Sequence, residues 1–220
     1  MTHPPIRSYV LRQGRFSPAQ QRAYEALLPR FGVAYQPGPM DWPAVFGRSA
    51  PVVVEIGSGM GQATAEIAAA NPGTDYLAIE VHAPGVGSLL KMLEEGSLTN
   101  VRVIQHDAVE VLKNMVPRES LAGIHIFFPD PWPKKRHHKR RILQSEFALL
   151  LAERLSPGGY IHFATDWQEY AEQAHAVLSA TQGLKPASDE RGTRPQTRFE
   201  QRGLRLGHAV TDMYFTKEKP

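Results

Sequence analysis

The 220-residue sequence predicts an α/β fold built on a doubly wound, mostly parallel β-sheet. Two observations support this prediction. Short apolar runs alternate with helical patterns at intervals of about 20 to 30 residues, which is typical of right-handed βαβ units. A glycine-rich turn directly follows the first apolar run, residues 52–56, and precedes a helical pattern. Because ligands of such sheets bind beyond the carboxyl ends of the strands, we expect the functional residues there.

The predicted elements begin with an N-terminal arm and helix, residues 1–35, which precede the sheet domain, residues 36–220. Ser17, followed by a proline and a glutamine, signals the start of the helix, and Pro29 is expected to end it. The segment 36–51 is rich in proline and glycine and is predicted to be a loop. The predicted strands are residues 52–56, 76–80, 101–105, 124–128, 160–164 and 209–215. The later predicted helices are residues 63–70, 89–95, 108–115, 143–155 and 167–180.

Composition excludes several classes of protein. Hydrophobic residues make up 42% of the chain, which excludes a disordered protein. The sequence has no apolar stretch of about 18 residues and no signal-peptide pattern at its start, so we expect a cytoplasmic protein without a membrane anchor. Cysteine is absent, which excludes disulfides and thiolate metal sites. Because His137 and His138 are adjacent and lack a third ligand, no metal site is expected.

The glycine-rich turn is the first candidate ligand site. Gly57 and Gly59 let the backbone approach a ligand closely. The spacing is G-x-G-x-G, and it differs from the dinucleotide-binding G-x-G-x-x-G because Gln62 stands at the third glycine position. This spacing resembles the first motif of class I S-adenosylmethionine-dependent methyltransferases. Glu55, directly before the turn, is an acceptor for the cationic α-amino group of that cofactor. An NAD-dependent oxidoreductase is the alternative, but it does not need Glu55.

Two further carboxylates follow the next two predicted strands. Glu80 ends the second strand and can accept hydrogen bonds from both hydroxyls of a ribose. Asp107 follows the third strand, where class I methyltransferases contact the adenine amine. Three acidic residues at three successive strand ends are hard to explain as solvated surface. We therefore predict that these carboxylates, with Gly57 and Gly59, bind S-adenosylmethionine.

The fourth predicted strand leads into Asp130-Pro131-Trp132, which we predict to be the catalytic loop. Its place in the topology matches the [DNS]-P-P-[FYW] loop of amino-methyltransferases, in which a polar side chain grips the target amine. Proline holds the carboxylate and the aromatic ring in a stiff turn. One alternative is a proline-rich loop around a buried tryptophan. Another is an N6-adenine or small-molecule methyltransferase, although the Asp-Pro-Trp order departs from that motif.

Eight consecutive basic residues follow this loop. They are Lys134, Lys135, Arg136, His137, His138, Lys139, Arg140 and Arg141. The formal net charge of the chain is only +3, so the positive charge is concentrated beside the catalytic loop. Cationic side chains in the first turns of a helix oppose the helix dipole, and stability alone does not explain them. We predict that the run contacts nucleic-acid phosphates; a solvated helix start is the alternative.

Four segments together resemble the bacterial tRNA (guanine-N7)-methyltransferases. The run at residues 127–141 is similar to the hallmark sequence of that family. Residues 9–15 resemble its N-terminal arm, residues 164–167 a loop that follows a strand, and residues 197–200 its T-x-F-E motif. The similarity covers nearly the whole chain in the same order. It implies the Rossmann-like, seven-stranded sheet of the class I methyltransferases, S-adenosylmethionine as cofactor, and methylation of tRNA at N7 of guanine 46 in the variable loop.

The resemblance also assigns roles to residues. It implies that Asp130 lines the cofactor site and acts at the reaction centre. The residues implied to contact the substrate guanosine are Lys134, Asp166, Thr197, Arg198, Phe199 and Glu200. The residues implied to contact RNA are Arg12, Arg136, His137, His138, Lys139, Arg140 and Arg141. We expect a monomer or a homodimer. An RNA-binding module that has lost catalysis is a further alternative, but Glu55, Gly57 and Asp130 are intact.

The segment at residues 197–200 also has a local structural interpretation. Thr197 is predicted to cap a helix, with Glu200 in the capping-box position. Glu200 is then expected at the surface, where Glu200→Gln costs within about 0.5 kcal/mol of stability.

Overall fold

In a computed structural model, the chain folds around one sheet with helices on both faces. The structure describes residues 7–10, 15–188, 192, 194–205, 207 and 209–219. The strands are β1 (Val52–Ile56), β2 (Asp75–Ile79), β3 (Val101–Ile104), β4 (Leu121–Phe127), β5 (Leu155–Thr165), β6 (Leu184–Ser188) and β7 (Thr211–Lys217). The α-helices are α1 (Pro18–Phe31), α2 (Trp42–Phe46), α3 (Gln62–Ala70), α4 (Ala83–Glu95), α5 (Ala108–Asn114), α6 (Ser145–Arg154), α7 (Gln168–Ser179) and α8 (Arg198–Arg205). A 3₁₀ helix spans Lys135–Arg140. Among the described residues, no helix is both long and apolar enough to cross a membrane.

The seven strands lie in the order β3-β2-β1-β4-β5-β7-β6. Strands β1 to β5 are parallel, and β7 is antiparallel to both of its neighbours, β5 and β6. The chain leaves β1 toward β2 and β3 and then returns to β4 on the other side of β1. This reversal opens a crevice at the carboxyl ends of β1 and β4. The mostly parallel, doubly wound, seven-stranded sheet confirms the predicted fold class.

Both faces of the sheet are buried, as expected for parallel strands. Along β1, Val52, Val54 and Ile56 pack with the helices α5, α6 and α7, whereas Val53 packs with α1, α3 and α4. This alternation follows from the two-residue period of a strand. Glu55 lies on the same face as Val53, toward α3, so its carboxylate is placed inside the protein at the end of the strand.

The N-terminal helix α1 is part of this core. Its predicted capping box is confirmed: the Ser17 hydroxyl accepts from the Gln20 N–H, and the Gln20 side chain accepts from the Ser17 N–H. The prediction that Pro29 ends the helix is wrong, since α1 continues to Phe31. A proline removes one backbone hydrogen bond. Burial of the Phe31 ring, which is 1% exposed, offsets that loss.

Two helices differ from the sequence prediction because tertiary contacts override local propensity. The segment 36–51, predicted to be a loop, contains α2, whose Phe46 is buried against the guanidinium of Arg102. Helix α4 begins at Ala83, earlier than predicted, and includes two residues of low helix propensity, Gly85 and Gly87.

The second half of the sheet also differs in detail. Strand β6 has no counterpart among the strands predicted from apolar patterns, because Pro186 interrupts it, as is common in an edge strand. Strand β5 begins at Leu155 and includes Gly158 and Gly159, whereas the predicted strand begins at residue 160. Its pairing with β4 shifts register near these glycines, which accommodates them within the strand.

Helix α6 offers a matched test of the core. Leu151 is fully buried and Leu149, on the same helix, is 48% exposed. We expect Leu151→Ala to lower the free energy of unfolding by about 3–5 kcal/mol, because it removes buried methyl groups and leaves a cavity. Leu149→Ala should change it by less than about 0.5 kcal/mol. Urea denaturation of both variants measures the difference, and equal effects would contradict the described packing.

Candidate cofactor and substrate site

A cavity of about 540 Å³ lies at the carboxyl ends of β1, β2, β3 and β4. Its volume is in the range of sites that bind a small ligand. The structure brings together in its lining all six residues predicted to bind the cofactor: Glu55, Gly57, Gly59, Glu80, Asp107 and Asp130. Thr197, from the C-terminal segment, also lines the cavity.

Glu55 is the most buried carboxylate of this cavity, with 3% of its surface exposed. The Thr64 hydroxyl, on α3, donates to its Oε2 atom at 2.7 Å. Burial raises the pKa of Glu55 to about 7, with a smaller contribution from the charge of Glu80, while the Thr64 hydrogen bond opposes the rise. A cation in the cavity would therefore find a nearby group that is ready to become its counter-charge.

The glycine turn is attached to β2 through the carboxylate of Glu80. Gly57 and Gly59 have φ of 74° and 56°, which only glycine adopts without strain. The Gly59 N–H donates to Glu80 Oε2 at 2.7 Å, and the N–H groups of Val81 and His82 donate to Oε1 at 2.8 and 2.9 Å. The carboxylate is thus held in place by three backbone donors before any ligand arrives.

Asp107 combines a structural contact with its place in the cavity. Its Oδ1 atom accepts from the Val109 N–H at 2.8 Å and so caps α5. Tyr9, from the N-terminal segment, also lines the cavity and hydrogen-bonds to Asp107. Partial burial and the negative charge of Asp107 raise the pKa of Tyr9. Sequence analysis did not identify Tyr9 as a site residue; its only signal was an aromatic residue within a basic arm.

The predicted catalytic loop adopts a strained backbone beside the cavity. Phe128 and Trp132 have φ of 50° and 45°, which is unusual for large side chains. The Trp132 indole donates to the Ser8 carbonyl at 3.0 Å, and the Arg140 guanidinium lies 4.7 Å from its ring centre. Such strain persists where the surroundings fix it, and it concentrates at functional sites. Asp130, between these two residues, is exposed at the rim of the cavity.

Most of the basic run forms the 3₁₀ helix at the surface. Lys134, Lys135, Arg136 and Lys139 are exposed, and Arg140 is partly exposed beside Trp132. Partial burial and the neighbouring cations lower the pKa of His137. His138 lies 3.4 Å from the Glu169 carboxylate. Among the described residues, no group of three or more potential metal ligands is present.

Arg141 departs from the prediction that the whole run faces RNA. Its side chain is 1% exposed. Its Nε atom donates to the Pro131 carbonyl at 2.8 Å, and Nη1 donates to the Gln173 side chain at 2.6 Å. The guanidinium therefore points into the protein, and the prediction of an RNA contact for Arg141 is corrected. The charge pattern of the run does not reveal the inward direction of this side chain, because its partner Gln173, on α7, is distant in sequence.

The C-terminal segment is anchored by a buried ionic cluster that sequence analysis missed. The guanidinium of Arg194 donates to both carboxylate oxygens of Asp212 at 2.8 Å and to Glu200 Oε2 at 2.7 Å. His162 donates to Asp212 at 2.8 Å. Burial alone would raise the pKa of Asp212, but the hydrogen bonds from His162 and Arg194 hold it at about 2. The cluster joins α8 to strands β5 and β7.

At the start of α8 the structure confirms the predicted cap and corrects the expected exposure of Glu200. Thr197 caps α8 as predicted, since its hydroxyl accepts from the Glu200 N–H at 3.1 Å. The expectation that Glu200 is exposed is wrong: it is 2% exposed, because its carboxylate pairs with Arg194.

The remaining predicted substrate contacts are placed as follows. Lys134 is exposed directly before the 3₁₀ helix. A side chain at Gly203 would come within 2.8 Å of the Asp166 carboxylate, so α8 packs closely against the loop after β5. The side chains of Arg198 and Phe199, in the first turn of α8, lie outside the described part of the structure, as does Arg12.

Sequence comparison places the chain among methyltransferases. A family model described as "Putative methyltransferase" matches residues 49–213. The chain is 59% identical over 220 residues to a tRNA (guanine-N(7)-)-methyltransferase of Nitrosomonas eutropha, covering 98% of both proteins. It is 58% identical over 221 residues to a protein of the same name from Nitrosospira multiformis, covering 99% of this chain and 96% of the relative.

Structure comparison identifies the same fold in more distant proteins. The 16S rRNA methyltransferase KamB superposes with a TM-score of 0.60 at 15% sequence identity. The superposition covers 81% of this chain and 93% of the KamB chain. A 16S rRNA (adenine(1408)-N(1))-methyltransferase of Catenulisporales acidiphilia, solved with its cosubstrate, superposes with a TM-score of 0.55 at 16% identity and covers 82% and 93% of the two chains. At this identity the likeness concerns the fold.

The ionic cluster gives a test in which Glu200 is compared with an exposed glutamate. We expect Glu200→Gln to lower the free energy of unfolding by about 1–3 kcal/mol, because Arg194 loses one charged partner in a buried site. Glu218→Gln, at the exposed end of the chain, should cost less than about 0.5 kcal/mol. Thermal and urea unfolding measure both, and a Glu200→Gln variant as stable as Glu218→Gln would contradict the described ion pair.

Proposed function

The chain belongs to the family of tRNA (guanine-N7)-methyltransferases, and we propose that it transfers a methyl group from S-adenosylmethionine to N7 of a guanine in tRNA. The observation that carries this proposal is the convergence of three carboxylates, from the ends of β1, β2 and β3, on one cavity beside the Asp-Pro-Trp loop. The cavity has a volume of about 540 Å³ and the acceptors that suit the cofactor.

The residues of the cavity fit S-adenosylmethionine group by group. The Thr64 hydroxyl donates to Glu55 Oε2, so Oε1 is the atom that can accept from a donor in the cavity. The Glu55 carboxylate therefore suits the α-amino cation. Glu80, already oriented by backbone donors, suits the ribose hydroxyls. Asp107, beside Tyr9, suits the adenine amine. When bound, the cofactor supplies a methyl group made electrophilic by its sulfonium.

The proposed substrate atom determines what the protein must do. Guanine N7 has an in-plane lone pair and no proton, so no general base is required. The protein has to align N7 with the methyl group, and alignment of this kind is worth several kcal/mol. The guanine ring gains positive charge as the bond forms. Asp130, at the rim of the cavity, is placed to stabilise that charge and is our candidate catalytic residue.

The exposed cations of the 3₁₀ helix are proposed to hold the RNA backbone. Lys135, Arg136 and Lys139 are exposed, and Arg140 lies against Trp132. Their phosphate contacts would orient the RNA over Asp130 without reading its sequence. The family resemblance supports guanine 46 of the variable loop as the target. A tRNA substrate also supports a cytoplasmic location.

A transfer assay tests the proposed reaction. The protein is incubated with radiolabelled S-adenosylmethionine and an unmodified tRNA transcript, and the nucleosides are then separated. We expect label in N7-methylguanosine, and its loss when guanine 46 of the transcript is replaced by adenine. With tRNA and cofactor saturating, we expect Asp130→Asn to lower the single-turnover rate by about 10²–10³.

Each result that contradicts these expectations points to a different conclusion about the reaction. Label in N6-methyladenosine or another nucleoside would replace the N7 assignment with a different methyltransferase activity. Label that persists in the altered transcript would show that guanine 46 is not the sole position that is methylated. A rate for Asp130→Asn within a factor of a few of wild type would mean that alignment, and not charge, carries the reaction.

The raised pKa of Glu55 predicts that cofactor binding releases a proton. Below pH 7 the empty site holds a proton on Glu55, and a bound α-amino cation favours the ionised carboxylate, so its pKa falls on binding. We expect release of about one proton near pH 6 and an affinity that falls by up to about tenfold per pH unit below 7. Calorimetry in two buffers of different ionisation enthalpy measures this release. Glu55→Gln should bind more weakly and show no such pH dependence, whereas proton release that persists in this variant would assign it to another group.

A further inference from the structure

Arg141 connects the proposed catalytic loop to a rigid helix. Its Nε atom donates to the carbonyl of Pro131, the residue between Asp130 and Trp132, at 2.8 Å. Its Nη1 atom donates to the Gln173 side chain on α7 at 2.6 Å. Its guanidinium lies 4.9 Å from the ring centre of Tyr170, also on α7. One planar group therefore contacts the loop on one side and the helix on the other.

The helix end of this connection is firmly packed. Tyr170 is fully buried, and its hydroxyl accepts from the Leu143 N–H at 3.2 Å. Gln173 donates to the Leu143 carbonyl at 3.2 Å. Helix α7 starts directly after Asp166 and Trp167, so the helix that anchors Arg141 also carries the loop after β5. Arg141 thus relates the position of the loop after β4, which lines the cavity, to that of the loop after β5.

The loop end of the connection is the part that needs support. Phe128 and Trp132 have positive φ, and such residues persist only when neighbouring contacts hold them. Pro131 has no N–H group, so its carbonyl is its only backbone group that can be anchored by hydrogen bonding. The bond from Arg141 supplies that anchor in the middle of the strained segment.

Fold stability alone gives a poor account of a guanidinium at this place. The residue is 2% exposed, its Nη2 atom has no hydrogen-bond partner among the described residues, and its ion pair with Glu169 is long, at 3.8 Å. Burying an incompletely satisfied charge is costly, and apolar replacements of buried ionic groups are often neutral or stabilising. The fork geometry of arginine, by contrast, suits the bridging of two fixed acceptors.

We propose that Arg141 is a positioning residue for methyl transfer: without contacting RNA, it fixes the Pro131 carbonyl and thereby the places of Asp130 and Trp132. This inference rests on the proposed function of the Asp-Pro-Trp loop. It separates the basic run into exposed cations that bind RNA and one buried cation that shapes the reaction centre.

The test compares two buried arginines that each donate to backbone or side-chain oxygens. Arg141→Lys keeps the charge but loses the fork that reaches both acceptors. Arg154→Lys is the matched control: Arg154 is 8% exposed and donates to the Leu112 carbonyl at 2.8 Å, away from the cavity. We expect Arg141→Lys to lower kcat by about 10- to 100-fold, with the KM for tRNA, its salt dependence and cofactor affinity unchanged. Arg154→Lys should leave kcat at its wild-type value.

A third variant distinguishes positioning from RNA binding. Arg136→Gln removes an exposed cation and should raise the KM for tRNA and reduce the slope of log affinity against log salt by about 0.7–0.9. If Arg141→Gln, which removes the charge, shifts the KM and the slope in the same manner, Arg141 contacts RNA and the proposal is wrong. A wild-type kcat in folded Arg141→Lys would also overturn it.

A measurement without turnover separates this proposal from the proposed function. Amide hydrogen exchange of peptides covering residues 127–140 should become faster in Arg141→Lys than in wild type, and should not change in Arg154→Lys. This comparison stays decisive if the wild-type protein fails to methylate tRNA. Should Arg141→Lys not fold, Gln173→Ala removes the acceptor of Arg141 Nη1, together with the bond to the Leu143 carbonyl, and leaves Arg141 in place. It should show a smaller change in the same direction. Unchanged exchange in the loop would refute the positioning role.

Discussion

The loops at the carboxyl edge of the sheet depend on charged side chains that bond to their backbone or to one another inside the protein. Glu80 accepts three backbone N–H groups and so ties the glycine turn to the start of α4. Arg141 donates to the carbonyl of the loop after β4. Arg194 joins the C-terminal segment to β7 through two carboxylates. In each case directional hydrogen bonds offset part or all of the cost of burying the charge, and they give the loop a defined position.

This arrangement separates two kinds of electrostatic environment. The lining of the cavity includes the carboxylates of Glu55, Glu80 and Asp107, which suit a ligand with a positive charge and several hydrogen-bond donors. Outside, the cations of the 3₁₀ helix suit the phosphates of RNA. Asp130 lies at the boundary and is exposed. In the proposed complex, bound RNA would exclude water from it, which strengthens its interaction with a guanine that becomes positive.

Much of the fold and cavity could be predicted from the sequence, because these features depend on local pattern. Buried strands are short apolar runs, and parallel topology brings their carboxyl ends together, so Glu55, Glu80 and Asp107 could be assigned to one site before the structure was known. Features that depend on distant contacts could not be predicted. The direction of the Arg141 side chain is set by Gln173 and Tyr170, and the burial of Glu200 is set by Arg194 and, through it, Asp212. Strand β6 lacked a signal because an edge strand is stabilised by its neighbour and tolerates Pro186.

The division of labour between buried and exposed charges follows from the chemistry of the proposed acceptor. Since guanine N7 carries no proton, the methyl-transfer step needs no general base, and the site can rely on position and fixed charge in that step. The position of the reacting groups must then come from the scaffold.

The strained φ values of Phe128 and Trp132 indicate that the loop around Asp130 does not hold its shape by local preference. Its shape is imposed by contacts from three directions: the N-terminal segment through Ser8, the 3₁₀ helix through Arg140, and α7 through Arg141. The 3₁₀ helix carries the cations that are proposed to contact RNA, and the N-terminal segment leads to Arg12, for which the family resemblance implies an RNA contact. Binding of the correct RNA can therefore strengthen the support of the catalytic loop, whereas the contact through Arg141 is internal and keeps the loop close to its working geometry before RNA arrives.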